Sequence, residues 1–247
     1  MKLILLRHGE SEWNLKNRFT GWKDVVLTQQ GILEAQLAAQ QLIINKIPIE
    51  TLYTSLLKRA TETAKIVANK LNFVEENIIK DWRLNERHYG ALQGLNKSET
   101  AAKYGEKQVH TWRRSFDIAP PKLKRDDIRF IETYNKFKDF DISKVIEGES
   151  LKNVIDRLNP FWEEYFSHMS KIGGNHLIVA HSNSLRAIIK ILDQLSSKEI
   201  MNVNIPTGVP LVYSFNLKNE VIDKKYLIDE KSLLEKQKKI KDQGKKK

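Results

Sequence analysis

One α/β domain built on an open sheet is the fold the sequence predicts, from three observations. Two short apolar runs, Leu3-Ile4-Leu5-Leu6 and His176-Leu177-Ile178-Val179-Ala180, have the length and continuity of buried strands. Segments with apolar residues at helical spacing follow and separate them, so strands and helices alternate. The 247 residues, 40% of them hydrophobic, suffice for one large domain with its own core and require no second.

The first apolar run ends in Arg7-His8-Gly9-Glu10-Ser11. A strand there delivers Arg7 and His8 from its carboxyl end into the crevice where open α/β sheets bind ligands, and Gly9 lets the backbone approach a ligand closely. The same residues also fit a strand and a polar turn in which His8 is only hydrogen-bonded. Residues 28–45 read as an amphipathic helix capped by Thr28, with Leu33, Leu37 and Ile44 near one face beside Ala38 and Gln41, and Pro48 helps to end it. A second strand is expected over 49–53. The next helix carries Leu56, Leu57, Ala60, Ala64, Val67 and Leu71 at helical spacing, with Arg59 in its first turn. An arginine is unfavourable beside the positive end of a helix, which suggests that Arg59 and the free backbone N–H groups hold an anion there.

Residues 120–148 read as a surface excursion, dense in charge and without clear periodicity. A long helix is expected over 150–170, kinked at Pro160, with a broad stripe running from Leu151 and Val154 through Phe161 to Met169. Gly173-Gly174 breaks the chain, and the second apolar run ends at His181. Ser184 is the expected cap of the helix that follows. His181 thus repeats the placement of His8, and the two converge if their strands are neighbours in a parallel sheet. No internal repeat is present.

The absence of cysteine excludes a disulfide scaffold, a zinc-thiolate site and a cysteine nucleophile. The N-terminal apolar stretch is too short for a signal core or a membrane span, so the expectation is a soluble cytoplasmic protein with no membrane partner. The net charge of +11 is concentrated at the end: residues 231–247 hold eight lysines against Glu235 and Asp242, which is +6 of it. Such a tail suits a solvated helix or frayed end, or alternatively a lid or anion lure. A nucleic-acid partner is not expected, because attraction to phosphate does not need histidines at strand ends.

Across most of its length the chain resembles the histidine phosphatase superfamily and, within it, the cofactor-dependent phosphoglycerate mutases. The matching blocks near the start are Leu6-Arg7-His8-Gly9-Glu10-Ser11-Glu12-Trp13-Asn14 and Asn17-Arg18-Phe19-Thr20-Gly21-Trp22. Thr54-Ser55-Leu56-Leu57-Lys58-Arg59-Ala60 follows. The segment from Leu84-Asn85-Glu86-Arg87-His88-Tyr89 to Lys97, with Trp112-Arg113-Arg114 and Asn204-Ile205-Pro206-Thr207-Gly208, resembles the mutase branch in particular. The block Ala180-His181-Ser182-Asn183 matches too, except that Ser182 stands where these proteins usually have glycine. The stretch 124–148 is also unlike theirs.

The resemblance implies a three-layer, mostly parallel sheet, with a catalytic domain over 1–230 and the lysine-rich tail over 231–247. It implies that His8 carries the phosphoryl group, that Arg7, Arg59 and His181 surround it, and that Glu86 is the general acid and base. Arg113 and Arg114 would clamp the substrate carboxylate and second phosphate. Ser11, Asn14, Thr20, Gly21, Arg87, Tyr89, Lys97, Ser182 and Asn183 would complete the substrate site. The implied reaction interconverts 2- and 3-phosphoglycerate through phosphohistidine primed by 2,3-bisphosphoglycerate, without a metal, in a homo-oligomer that is most simply a dimer. A phosphatase, with water as acceptor, and a bisphosphoglycerate mutase fit the same residues.

Overall fold

The computed structural model describes residues 1–140, 142–243 and 245, with only the backbone of Ser143 and Lys144. Asp141 of the excursion and Gly244, Lys246 and Lys247 of the tail lie outside the described residues. The strands are β1 (Lys2–Arg7), β2 (Thr51–Thr54), β3 (Ile78–Lys80), β4 (Asn175–Ala180), β5 (Leu211–Phe215) and β6 (Val221–Tyr226). They form one sheet in the order β3, β2, β4, β1, β5, β6. The pairs from β3 to β1 are parallel, whereas β5 and β6 add an antiparallel edge. In the central pair Arg7 lies opposite Ala180.

The helices are α1 (Glu12–Leu15), α2 (Gln29–Ile44), α3 (Lys58–Lys70), α4 (Lys97–Tyr104), α5 (Glu106–Arg114), α6 (Ile128–Phe137), α7 (Ser143–Glu147), α8 (Leu151–Ile172), α9 (Ser182–Leu192) and α10 (Glu230–Asp242). Alternation along β1 explains the layers, since successive side chains of a strand point to opposite faces. Leu3 and Leu5 pack with α8 and α9 through Leu158, Phe161 and Ile188. Ile4 and Leu6 pack with α2 and α3 through Ala38, Leu42, Ala64 and Val67. Both faces are covered, as the continuous apolar run requires. Among the described residues no helix is long and apolar enough to cross a membrane.

Four expectations change in detail. The second strand begins at Thr51, two residues late. Ser184 is the third residue of α9, where its hydroxyl accepts from the His181 N–H at 3.1 Å, and His181 itself occupies the cap position. α8 runs to Ile172, two residues beyond the expected end, with Pro160 inside it. The excursion is not a bare loop: Phe130 and Phe137 of α6 and Ile146 of α7 bury against Trp22 and Leu57 in a cluster of their own.

The inward face of α2 is also not the expected one. Leu33, Leu37 and Ile44 are 52%, 54% and 61% exposed, while Gly31, Ala35, Ala38 and Ala39 face the sheet. Volume decides this, because the first turn of α2 lies directly on the loop after β1. A Cβ on Gly31 would sit 2.0 Å from the Glu10 carbonyl oxygen, and one on Gly9 would sit 2.1 Å from that of Gly31. Gly31→Ala must push backbone from backbone and is expected to lower stability by about 3 kcal/mol, read as a fall in the urea midpoint. An unchanged midpoint would mean that the contact relaxes freely.

Candidate active site

Parallel pairing of β1 with β4 makes His8 and His181 neighbours, with ring centroids 5.0 Å apart. The His8 N–H donates to the Ala180 carbonyl at 3.0 Å, which extends the ladder by one residue. The His8 ring is 2% exposed, and its Nδ1 lies 2.7 Å from the Gly9 carbonyl oxygen. A carbonyl only accepts, so Nδ1 carries the proton and Nε2 keeps a lone pair. Arg59 Nε donates to that Nε2 at 3.3 Å. Burial, then the Arg59 and Arg7 guanidinium groups, hold the His8 pKa well below the usual imidazole value. The ring therefore stays neutral and nucleophilic.

Arg59 sits in the first turn of α3 and is aimed by two loop carbonyls, Gly21 at 2.9 Å and Lys23 at 3.1 Å. Arg7 is held by the Ile205 carbonyl at 2.8 Å, and its Nε is buried without a partner among the described residues. His181 is fully buried, with its Nε2 sharing a 2.7 Å hydrogen bond with the Ser55 hydroxyl. Burial, Arg59 and His8 lower its pKa well below the usual value.

Glu86 comes from the irregular segment after β3 and is 6% exposed. It pairs with neither Arg83 nor the Arg87 guanidinium; Arg83 instead bonds Asp81 and Glu164. Three donors converge on Glu86 Oε1: the Arg87 N–H at 2.7 Å, the Asn183 side-chain amide at 2.9 Å and the Asn183 N–H at 3.2 Å. The Asn183 amide is fixed in turn by Arg186, which donates to its Oδ1 at 2.8 Å.

These groups open onto a cavity lined by Arg7, His8, Asn14, Arg18, Thr20, Arg59, Glu86, Tyr89, Lys97, Arg113, Arg114, Ser182, Asn183, Ile240 and Gln243. Four residues read from the sequence as site residues stand behind this wall. His181 lies against His8, and Ser11 caps α1 and bonds Asn14 at 2.9 Å. Gly21 acts through its carbonyl on Arg59. The buried Arg87 guanidinium lies 4.7 Å from the Tyr89 ring centroid and donates to the Arg113 carbonyl at 2.9 Å.

Arg18, Ile240 and Gln243 also line the cavity, and nothing in the sequence around the last two marks them as site residues. Ile240 is the buried apolar side chain of α10, and the Gln243 side-chain oxygen accepts from Lys97 Nζ at 3.1 Å. Gln237 and Lys236 also tie α10 down, to the Asn204 carbonyl and to Glu34.

The electrostatics of the cavity are lopsided. Burial and mutual repulsion lower the pKa of Arg113, Arg114 and Lys97, and burial pulls Arg59 down to about 10. Buried cations this crowded are relieved by an anion of several charges. Among the described residues no group of histidines and carboxylates has the arrangement to hold a metal.

The same burial makes stability depend on pH. His8 and His181 have pKa values held well below the usual one, and burial takes His88 down to about 3. The unfolded chain therefore takes up protons below about pH 6.5 while the fold does not, so stability falls as pH drops toward the folded pKa values. The expected slope is up to about 1.4 kcal/mol per pH unit for each histidine. Urea titrations at pH 7, 6 and 5 test it, and His88→Gln should remove about one proton's worth of slope. An unaltered slope would mean that His88 titrates normally.

The family model described as the histidine phosphatase superfamily (branch 1) matches residues 3–224. A 2,3-bisphosphoglycerate-dependent phosphoglycerate mutase of Treponema denticola is 47% identical over 247 residues, 100% of each chain. A relative of the same name from Lachnoclostridium phytofermentans is 47% identical over 245 residues, 99% of this chain and 98% of its own. A solved structure described as mycobacterial hydrolase 1 shares the fold, with a TM-score of 0.70 at 22% identity over 92% of this chain and 96% of that one.

Proposed function

This chain belongs to the histidine phosphatase superfamily, and we propose that it interconverts 2- and 3-phosphoglycerate in glycolysis and gluconeogenesis as a 2,3-bisphosphoglycerate-dependent mutase. The full-length similarity to two proteins of that name supports the reading. The observation that carries the chemistry is the neutral His8, with Nδ1 tied to Gly9 and Nε2 facing Arg59. The cavity suits a bisphosphorylated acid: its cations are crowded, and Arg7 Nε is buried without a partner among the described residues. Arg7 and Arg59 would hold the phosphoryl group to be transferred, and Arg113, Arg114 and Lys97 the far phosphate or the carboxylate. When bound, 2,3-bisphosphoglycerate supplies the phosphoryl group that charges His8.

In our reading the His8 Nε2 lone pair forms the N–P bond while the bond from phosphorus to the leaving oxygen breaks. Arg7 and Arg59 stabilise the charge on the phosphoryl oxygens, while His181, packed against the His8 ring, supports the nucleophile from behind. Glu86 gives a proton to the leaving oxygen and takes one from the attacking hydroxyl in the return step. Its Oε2 accepts no hydrogen bond among the described residues and is the atom we assign to that proton. Asn14, Thr20, Tyr89, Ser182 and Asn183 orient the substrate, with Ser11, Gly21 and Arg87 supporting them from behind. We read the enzyme as cytoplasmic, metal-independent and homo-oligomeric, most simply a dimer.

The test is an enolase-coupled assay of 3-phosphoglycerate with EDTA, with and without 2,3-bisphosphoglycerate, following free phosphate in the same tube. Primed isomerisation with little phosphate release is expected. Phosphate release without 2-phosphoglycerate would establish the phosphatase reading, and loss of activity to EDTA restored by manganese would overturn metal independence. Because Ile240 and Gln243 wall the cavity, we read α10 as the part that excludes water. Truncation after Asp229 is expected to lower isomerisation about tenfold, by losing the enclosed geometry, and to raise phosphate release. An unchanged ratio would dismiss this role.

A further inference from the structure

Glu86 lies on a segment without regular structure, so something other than a helix or strand must hold its backbone to the tolerance that proton transfer needs. One buried ion pair does so. Arg157 Nε donates to Glu149 Oε1 at 2.6 Å, and the Arg157 and Glu149 side chains are 6% and 2% exposed. Arg157 Nη1 donates to the Arg83 carbonyl at 2.5 Å, and Nη2 to the carbonyls of Asn85 at 2.8 Å and Glu86 at 3.0 Å and to Glu149 Oε2 at 3.2 Å. The other Glu149 oxygen accepts from the His88 N–H at 2.9 Å, and the Glu149 N–H donates to the His88 carbonyl at 2.9 Å. Trp22, whose ring lies 5.9 Å from the Arg157 guanidinium, donates from Nε1 to the same Glu86 carbonyl.

We propose that Arg157, locked by Glu149, is a positioning residue for Glu86, setting the backbone from which its carboxyl meets the reacting oxygen. The geometry is specific to arginine. Five donors in a rigid fork serve three carbonyls and a carboxylate together, and lysine offers three donors on one atom. The strut is stiff because Arg157 lies on α8 between Val154, Leu158 and Phe161, all buried in the main core. Neither Arg157 nor Glu149 lines the cavity, so the pair acts through Glu86 and not on the substrate. The proposal rests on the reading of Glu86 as acid and base.

The experiment is a double-mutant cycle on kcat for primed 3-phosphoglycerate isomerisation, with KM and the thermal midpoint recorded for every protein. Arg157→Met is expected to lower kcat about 100-fold with KM changed less than about 3-fold, the scale of a misplacement near 1 Å. Glu86→Gln is expected to lower kcat by about 10²–10⁴-fold. In the Glu86→Gln background, Arg157→Met should cost less than about 3-fold, because the carboxyl it positions is gone. Equal losses in both backgrounds would overturn the proposal and leave Arg157 a general support. A Glu86→Gln enzyme at wild-type speed would overturn the acid-base reading itself, and the proposal with it. If Arg157→Met does not fold, Arg157→Lys and Glu149→Gln carry the same cycle, each with a loss of about 10-fold that disappears beside Glu86→Gln.

Discussion

His8→Ala is expected to reduce isomerisation by about 10⁶-fold, the loss typical of removing a covalent nucleophile, and to leave no acid-labile phosphate on the protein. The reason lies in one nitrogen. Nε2 is the His8 ring nitrogen that keeps a lone pair, accepting from Arg59 Nε at 3.3 Å, since Nδ1 donates to Gly9, and no cysteine offers an alternative nucleophile. His181 is the nearest substitute, but its Nε2 is engaged by Ser55 and it is sealed from the cavity. Brief incubation with labelled 2,3-bisphosphoglycerate followed by an alkaline quench reads the phosphoenzyme. Label retained on the His8→Ala protein would show that another group is the nucleophile.

The second large effect is expected at Arg59. Its guanidinium faces the attacking nitrogen and is already pointed by the Gly21 and Lys23 carbonyls, so it costs no reorganisation when charge develops on the phosphoryl group. Arg59→Met should lower kcat by about 10³-fold or more, on the scale of a lost arginine at a transferring phosphoryl group. It should also move a second observable. Arg59 is the main charge depressing the His8 pKa, so its removal must raise that pKa toward the ordinary imidazole value, and the acid limb of kcat/KM should move to higher pH. A kcat loss with the acid limb unmoved would separate Arg59 from His8. Arg59→Lys keeps a charge but not the fork, so its acid limb should stay low while kcat remains reduced.

The sequence is most legible where one physical constraint acts alone. β1 and β4 are buried on both faces, so their apolar runs have no competing reading, and the histidines that follow them are found at once. α2 is read onto the wrong face because backbone contact at Gly9 and Gly31 selects small side chains for the interior, leaving leucines outside. α6 and α7 escape notice because a few aromatic and branched residues inside a charged stretch bury on Trp22, a partner more than 100 residues earlier. The site divides similarly. His8, Arg59 and Glu86 stand in dense motifs, whereas Ile240 and Gln243 belong to a lysine run with no motif around them, and they are the two among its described residues that face the cavity. Arg157 had a signal of its own, a cation at helical spacing among Val154, Leu158 and Phe161 on an inward stripe.

The central pairing of the sheet also fixes when this protein can exist as an enzyme during its synthesis. His8 is made at the start of the chain and His181 more than 170 residues later, so at about 5–20 residues per second the ribosome separates them by about 10–35 s. Throughout that interval β1 has neither neighbour, since both β4 and β5 are still to come. A strand with all of Leu3, Ile4, Leu5 and Leu6 destined for burial then has both edges unpaired, and the face that carries Leu3 and Leu5 still lacks α8 and α9. Refolded enzyme is therefore expected to regain activity only once β1 has paired with β4 and β5, the most distant contacts of the sheet.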